Sequence, residues 1–263
     1  MWNTIFYQPL VNALIFCYEL LGQNLGLAII GLTVFIRGVL TPLTLPSLKS
    51  AQKLKSLQPE LEKLKQKHGK DRQAFAQAQL KFYKENGVNP AAGCLPQIVQ
   101  IVILIALFQA FNQVLKGDGN IIQDINQVLY PSLKLDPDTV MNTQFTYLNL
   151  TQPDVIKIAG INILNFTIDK LPGIYLILAA ATQFLSSKLM MPSAKAKEVK
   201  AGETKPKADD MAATMQTQML YFMPIMTLFI GFRFPSGLVL YWLTFSVFML
   251  IQQLWLKYAK KTS

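Results

Sequence analysis

The sequence predicts an all-α polytopic membrane protein: five transmembrane helices around a polar groove open to the cytoplasm, plus a cytoplasmic helical hairpin. Three observations carry that expectation. Of 263 residues, 51% are hydrophobic and only 15% charged, where a soluble domain usually carries about 25% charged residues. The apolar residues cluster in runs of about 20, the length that crosses a bilayer as a helix. One of these runs, 25–46, holds a lone arginine, Arg37, near its middle. A charge there costs at least ~2.5–3.5 kcal/mol on insertion scales, so a carboxylate partner, water or a function has to offset it.

In chain order, residues 1–24 are expected to form an amphipathic helix lying in the membrane interface. Leu10, Leu14, Cys17 and Leu21 fall on one side, and Asn12, Glu19 and Gln23 on another. This segment has no Lys or Arg, which argues against a secretory signal. Cys17 follows the bulky Phe16 and is expected to be a buried apolar thiol rather than a lipid anchor. The apolar runs then give spans at 25–46, 94–115, 171–191, 215–232 and 236–256.

The connecting segments orient these spans. Residues 47–93 hold ten Lys/Arg against four acids, 116–170 four against six, and 188–214 six against four. Counting positive charges inside places 47–93, the 192–214 linker and the short 257–263 tail in the cytoplasm, with the N-terminus and 116–170 outside. Within 47–93, Leu54, Leu57, Leu61 and Leu64 form one stripe and Phe75, Ala78 and Phe82 another. A turn at His68–Asp71 separates them, which is the pattern of an antiparallel helical hairpin. Pro59 is expected to kink the first arm. Lys53, Lys55, Lys63, Lys65, Lys67, Lys70 and Arg72 make the hairpin a basic arm suited to anionic partners: ribosomal RNA, lipid headgroups or an incoming chain. Residues 116–170 are polar and proline-punctuated, with one short amphipathic helix expected near Ile121–Leu129 and little else. The Lys/Ala/Glu/Pro-rich stretch 192–210 reads as a disordered linker. The last two spans are joined only through Arg233–Gly237, a tight helical turn.

Arg37 lies about 13 Å along the helix from Pro46, the expected cytoplasmic end of its span, too deep for a side chain of about 6 Å to snorkel out. Thr33, Arg37, Thr41 and Thr44 form one polar stripe. The second span places Gln97 and Gln100 in the cytoplasmic half, the third places Gln183, Ser186 and Ser187 there, and the fourth begins with Gln216 and Gln218. Thr244 and Ser246 sit near the middle of the fifth, next to Tyr241 and Trp242. No span contains Asp or Glu. A cavity hydrated from the cytoplasm and sealed on the other side accounts for both facts. One histidine and two separated cysteines make a metal site or a disulfide framework implausible. Without a Walker motif or a nucleophile–base set, neither an enzyme nor a cofactor is expected.

Four segments carry a family likeness: IRGVLTPLTLPSLKSAQKLKSLQPELEKLKQKHG, KFYKENGVNPAAGCLPQIVQIVILIALFQAF, ATQFLSSKLM and MPIMTLFIGFRFPSGLVLYW. In this order and over most of 25–115 and 146–256, the chain resembles the YidC/Oxa/Alb membrane protein insertases, in their compact form. The resemblance implies that Arg37 is the groove arginine, that Gln183 and Trp242 line the groove, and that the 47–93 hairpin receives substrates. It further implies a multi-pass protein of the bacterial plasma membrane, acting as a monomer on nascent membrane proteins, with the ribosome as transient partner, the Sec translocon as a potential one, and no small-molecule substrate. There are departures: Phe245 and Ser246 stand where the family often has two asparagines, Gln100-Ile-Val lacks a family proline, 116–170 is longer than usual, and the tail is short. The rival readings from the residues are an anion-binding transporter or channel and a passive membrane assembly scaffold.

Overall fold

The computed structural model describes residues 1–68, 71–89, 95–115, 121–163, 166–190 and 210–259. A π-helical turn, Asn3–Tyr7, runs into α1, Gln8–Leu20. Next come α2 (Leu25–His68), α3 (Arg72–Glu85), α4 (Leu95–Leu115) and α5 (Ile121–Val128), then a 3-10 turn at Pro131–Leu133. Two antiparallel hairpins follow: β1 (Gln144–Phe145) with β2 (Leu148–Asn149), and β3 (Val155–Ile163) with β4 (Phe166–Pro172). The chain ends in α6 (Ile174–Met190), α7 (Asp210–Gly231) and α8 (Ser236–Ala259).

The hairpins correct the all-α expectation and the reading of 116–170 as little beyond one short helix. Val155–Ile163 and Phe166–Pro172 alternate apolar with polar or small residues well enough to pair, with an irregular register between Lys157 and Ile161. Polar composition and prolines masked that pattern, because two strands satisfy each other's backbone without a wide apolar face.

The run 25–46 belongs to a longer helix that Pro46 does not end. α2 is one helix of 44 residues with Pro42, Pro46 and Pro59 inside it. At 1.5 Å per residue it is about 66 Å long, twice the roughly 30 Å of a bilayer's hydrocarbon core, so its second half forms the first arm of the hairpin. α3 packs back on it. Asp71 starts α3 by accepting from the Gln73 and Ala74 amides at 2.9 and 3.1 Å.

α1 does not present Asn12 on a polar outer face. Asn12 is buried, donates to Val128 O at 3.1 Å and accepts from Tyr130 N at 2.6 Å. It thereby satisfies backbone groups released where α5 ends. α1 is docked on α2, α4 and α5 rather than lying alone.

α6 packs along α8 more extensively than any other helix pair, with α2 on α8 and α6 on α7 next. The segment 142–155 gathers their N-terminal ends. Leu25 N donates to Asn142 O at 3.1 Å, Ser236 N to Gln152 O at 2.7 Å, and Gly237 N to Leu150 O at 3.0 Å. At α6, Leu176 N donates to the Asp154 carboxylate at 2.8 Å. α2, α6 and α8 therefore leave one end of the molecule in parallel.

Among the described residues, Leu25–Leu61 and Ser236–Tyr258 are long and apolar enough by length and composition to cross a membrane. Val99–Ala110, Ile174–Leu189 and Leu220–Gly231 are shorter apolar helices. The linker 192–209, Cys94, Lys70 and the tail beyond 259 lie outside the described residues.

Candidate functional site: a buried arginine between three helices

α2 buries Leu25, Ala28, Ile29 and Leu32 in its first turns, but in its middle it turns apolar groups outward and polar groups inward. Phe35 is 65% exposed and Val39 and Leu43 share that outer face, while Thr33, Arg37 and Thr44 are buried. The same holds for its neighbours. Ile101 and Ile105 of α4, Ile177 and Leu185 of α6, Phe229 of α7 and Ile251 and Trp255 of α8 are exposed, whereas Gln100, Ser186, Thr227, Ser246, Gln252 and Gln253 are buried. Apolar outer faces around an interior that holds polar groups beside an apolar core are the arrangement that lipid favours and water does not.

Arg37 is only 4% exposed. Its Nη2 donates to Gln100 Oε1 of α4, and Gln100 Nε2 donates to the Tyr241 hydroxyl of α8 at 2.8 Å. The guanidinium lies over the Phe245 ring, with Cζ 3.8 Å from the centroid, a cation–π arrangement. One turn on, Thr41 Oγ1 donates to Arg37 O at 2.7 Å and accepts from Gln252 Nε2 at 2.7 Å. Thr41 and Gln252 each lie about 24 Å along their helices from the tied ends, so the parallel α2 and α8 meet in step. Among the described residues no carboxylate forms an ion pair with Arg37.

Of the residues singled out in the sequence, Arg37, Gln100 and Thr41 therefore come together, joined by Tyr241, Phe245 and Gln252. Gln183 is elsewhere in the contact pattern: its Oε1 accepts from Thr227 of α7 at 2.5 Å. Thr33 bonds back to Ile29 O at 2.6 Å, and Ser246 is buried. Trp242 is half-buried. Thr244 bonds back to Leu240 O at 2.8 Å and lines a different space, an apolar crevice of about 410 Å³ between α2 and α8 bounded by Ile30, Val34, Phe145, Tyr175 and Phe248. The Gln97 side chain lies outside the described residues.

Lys53, Lys63 and Lys67 are exposed on the hairpin arm and Lys65 is partly covered. Lys55 donates to Leu189 O at the end of α6, at 2.9 Å. The Arg72 side chain is outside the described residues. Among the described residues no group of three or more His, Cys, Asp or Glu could hold a metal ion.

Tyr241 and Gln252 were within reach of the sequence. Both are polar residues inside an apolar run, Tyr241 one turn before Phe245 and Gln252 beside Gln253. Which of them faced Arg37 depended on the rotation of α8, which period-3.6 counting on an almost wholly apolar helix does not set.

Comparison with known proteins gives the site its context. The sequence profile of the 60Kd inner membrane protein family matches residues 16–263. A relative from Fusobacterium nucleatum, named membrane protein insertase YidC, is 35% identical over 88% of this chain and 84% of its own length. Membrane protein insertase YidC 2 of Bacillus anthracis is 31% identical over 98% of this chain and 81% of its own. Membrane protein insertase YidC of Nitratidesulfovibrio vulgaris is 33% identical over 97% of this chain, but the match spans only 39% of that longer relative. The inverted polarity of the helices and these matches along almost the whole chain agree: the protein is a member of the 60Kd inner membrane protein family, the family of the relatives named YidC.

Proposed function

We propose that this protein is a membrane protein insertase in which Arg37 draws short hydrophilic segments of nascent membrane proteins into the helix assembly while their hydrophobic segments pass into lipid. The observation that carries the reading is a buried guanidinium without an ion-paired carboxylate among the described residues, inside helices whose outer faces are apolar. A charge held this way attracts acidic residues strongly, because the surrounding dielectric is low. Gln100, Thr41 and Gln252 offer polar contacts that replace lost water. Partition of the apolar segment, with the membrane potential acting on charged residues, supplies the driving force.

In this reading α2, α4, α6, α7 and α8 each cross the membrane, the N-terminus and 116–170 face outside, and the hairpin of α2 and α3 meets the chain emerging from the ribosome. α6 has 17 residues, about 25 Å of helix, and would sit in a locally thinned bilayer at a modest cost. The exposed lysines of the hairpin suit an anionic partner.

The test is insertion in vesicles reconstituted with the purified full chain. Arg37→Ala should lower insertion of a single-span substrate with an acidic N-terminal tail about tenfold or more, the scale of losing a charge-assisted contact of 1.5–3 kcal/mol. Arg37→Lys should retain most of it, since charge matters more than fork geometry here. Undiminished insertion by Arg37→Ala would remove Arg37 from the mechanism. Anion flux through protein-containing vesicles without a substrate would favour a transporter instead.

A further inference from the structure

Arg37 is held by two groups that carry no charge, the Gln100 carbonyl and the Phe245 ring, and Gln100 is held in turn by Tyr241, one turn from Phe245 on α8. Gln100 has one acceptor end and one donor end. The guanidinium only donates, so it takes the Gln100 carbonyl oxygen, which leaves the donor end of the amide to the Tyr241 hydroxyl at 2.8 Å. With the amide reversed, an NH2 group would face the guanidinium, donor against donor. The Phe245 ring covers one face of the guanidinium at 3.8 Å. It is attractive through its quadrupole and brings no negative charge. Tyr241 and Phe245 are separated by one helical turn and so share a face of α8.

From this we infer that Tyr241 and Phe245 are positioning residues that orient Arg37 without neutralising it, and so set the preference for acidic over neutral substrate tails. The inference rests on the proposed role of Arg37. A carboxylate in place of either group would hold the arginine at least as firmly, but would cancel the charge that attracts the substrate. Tyr241 acts through Gln100: without its hydroxyl the amide loses its second anchor, and the acceptor that meets the guanidinium is held less firmly. Phe245 acts directly, by holding the guanidinium against α8.

The experiment compares two single-span substrates that differ only in their N-terminal tail, one with Asp and Glu, the other with Asn and Gln at the same positions. They are inserted into phosphatidylethanolamine–phosphatidylglycerol vesicles containing the full chain. The readout is the ratio of acidic-tail to neutral-tail insertion, which loss of folded protein does not move because it lowers both in proportion. Phe245→Leu should lower the ratio about threefold or more, and Phe245→Tyr should restore it, as the energy of a partly desolvated cation–π contact requires. Tyr241→Phe should lower the ratio in the same direction. Gln100→Glu should bring it down to the value of Arg37→Ala, because the new carboxylate pairs with the guanidinium. An unchanged ratio in both Phe245→Leu and Tyr241→Phe, with Arg37→Ala lowering it, would overturn the positioning role and leave the role of Arg37 standing. An unchanged ratio in Arg37→Ala would overturn both.

Discussion

Asp154 is 1% exposed, and its carboxylate has two jobs. One oxygen accepts from the Tyr147 hydroxyl at 2.8 Å and the other from Leu176 N at 2.8 Å. Tyr147 in turn accepts from Ile174 N at 2.9 Å. Together they satisfy the free amides at the start of α6, where a negative charge is also favoured by the helix dipole. Gly173 completes the arrangement, since a Cβ there would run into the Asp154 carboxylate. Asp154→Ala leaves the Leu176 amide without that acceptor and should cost about 2–4 kcal/mol, as two bonds to a charged group are lost. A lowered unfolding midpoint in detergent checks it. Burial, and next the bond to Asp154, push the Tyr147 hydroxyl above its ordinary value. The folded state thus prefers the protonated phenol. Its contribution is complete below the unfolded value of about 10 and is lost as pH rises through the higher folded value. An alkaline loss of stability that Tyr147→Phe abolishes is the expected result of a pH series of melting curves.

At the scale of elements, α2 is both a core helix and the arm of a hairpin, and its prolines do not end it. Each removes one backbone bond, which packing against α8 and α3 outweighs. That packing is tertiary and is not written in local proline chemistry. Lys55 pins the arm to the rest of the molecule by capping the Leu189 carbonyl, a favourable place for a cation at a helix C-terminus. Lys55→Ala should free the last turn of α6, seen as faster hydrogen exchange over residues 185–190 with no change near Leu176. On the other side of α6, Gly231 of α7 lies so close to Leu176 that a Cβ would overlap it. Gly231→Val should cost about 1–3 kcal/mol as overpacking, measured as a lower melting temperature in detergent.

For the whole molecule, the segment 142–155 binds the N-terminal ends of α2, α6 and α8 with backbone and side-chain hydrogen bonds. At the other end the described hydrogen bonds between these helices run through long side chains, Gln252 to Thr41 and Lys55 to Leu189. One end is clasped by backbone and the other is bridged by side chains. The topology is open to a direct check. With Cys17 and Cys94 replaced by serine, Asp136→Cys should react with a membrane-impermeant maleimide in intact cells, and Lys67→Cys only after permeabilisation. The reverse pattern would invert the proposed orientation.

The apolar runs, the lone arginine inside one of them, the basic arm and the family likeness are properties of composition and order, and the sequence by itself determined them. They follow from length against bilayer thickness and from the cost of a buried charge. Three things needed the tertiary structure. The rotation of α8 set Phe245 against Arg37, Tyr241 against Gln100 and Gln252 against Thr41, while turning Thr244 into an apolar crevice. The pairing of β3 with β4, and the reach of 142–155 across three helix ends, joined residues far apart in sequence. Local periodicity says which residues share a face. Only packing between helices says what that face meets.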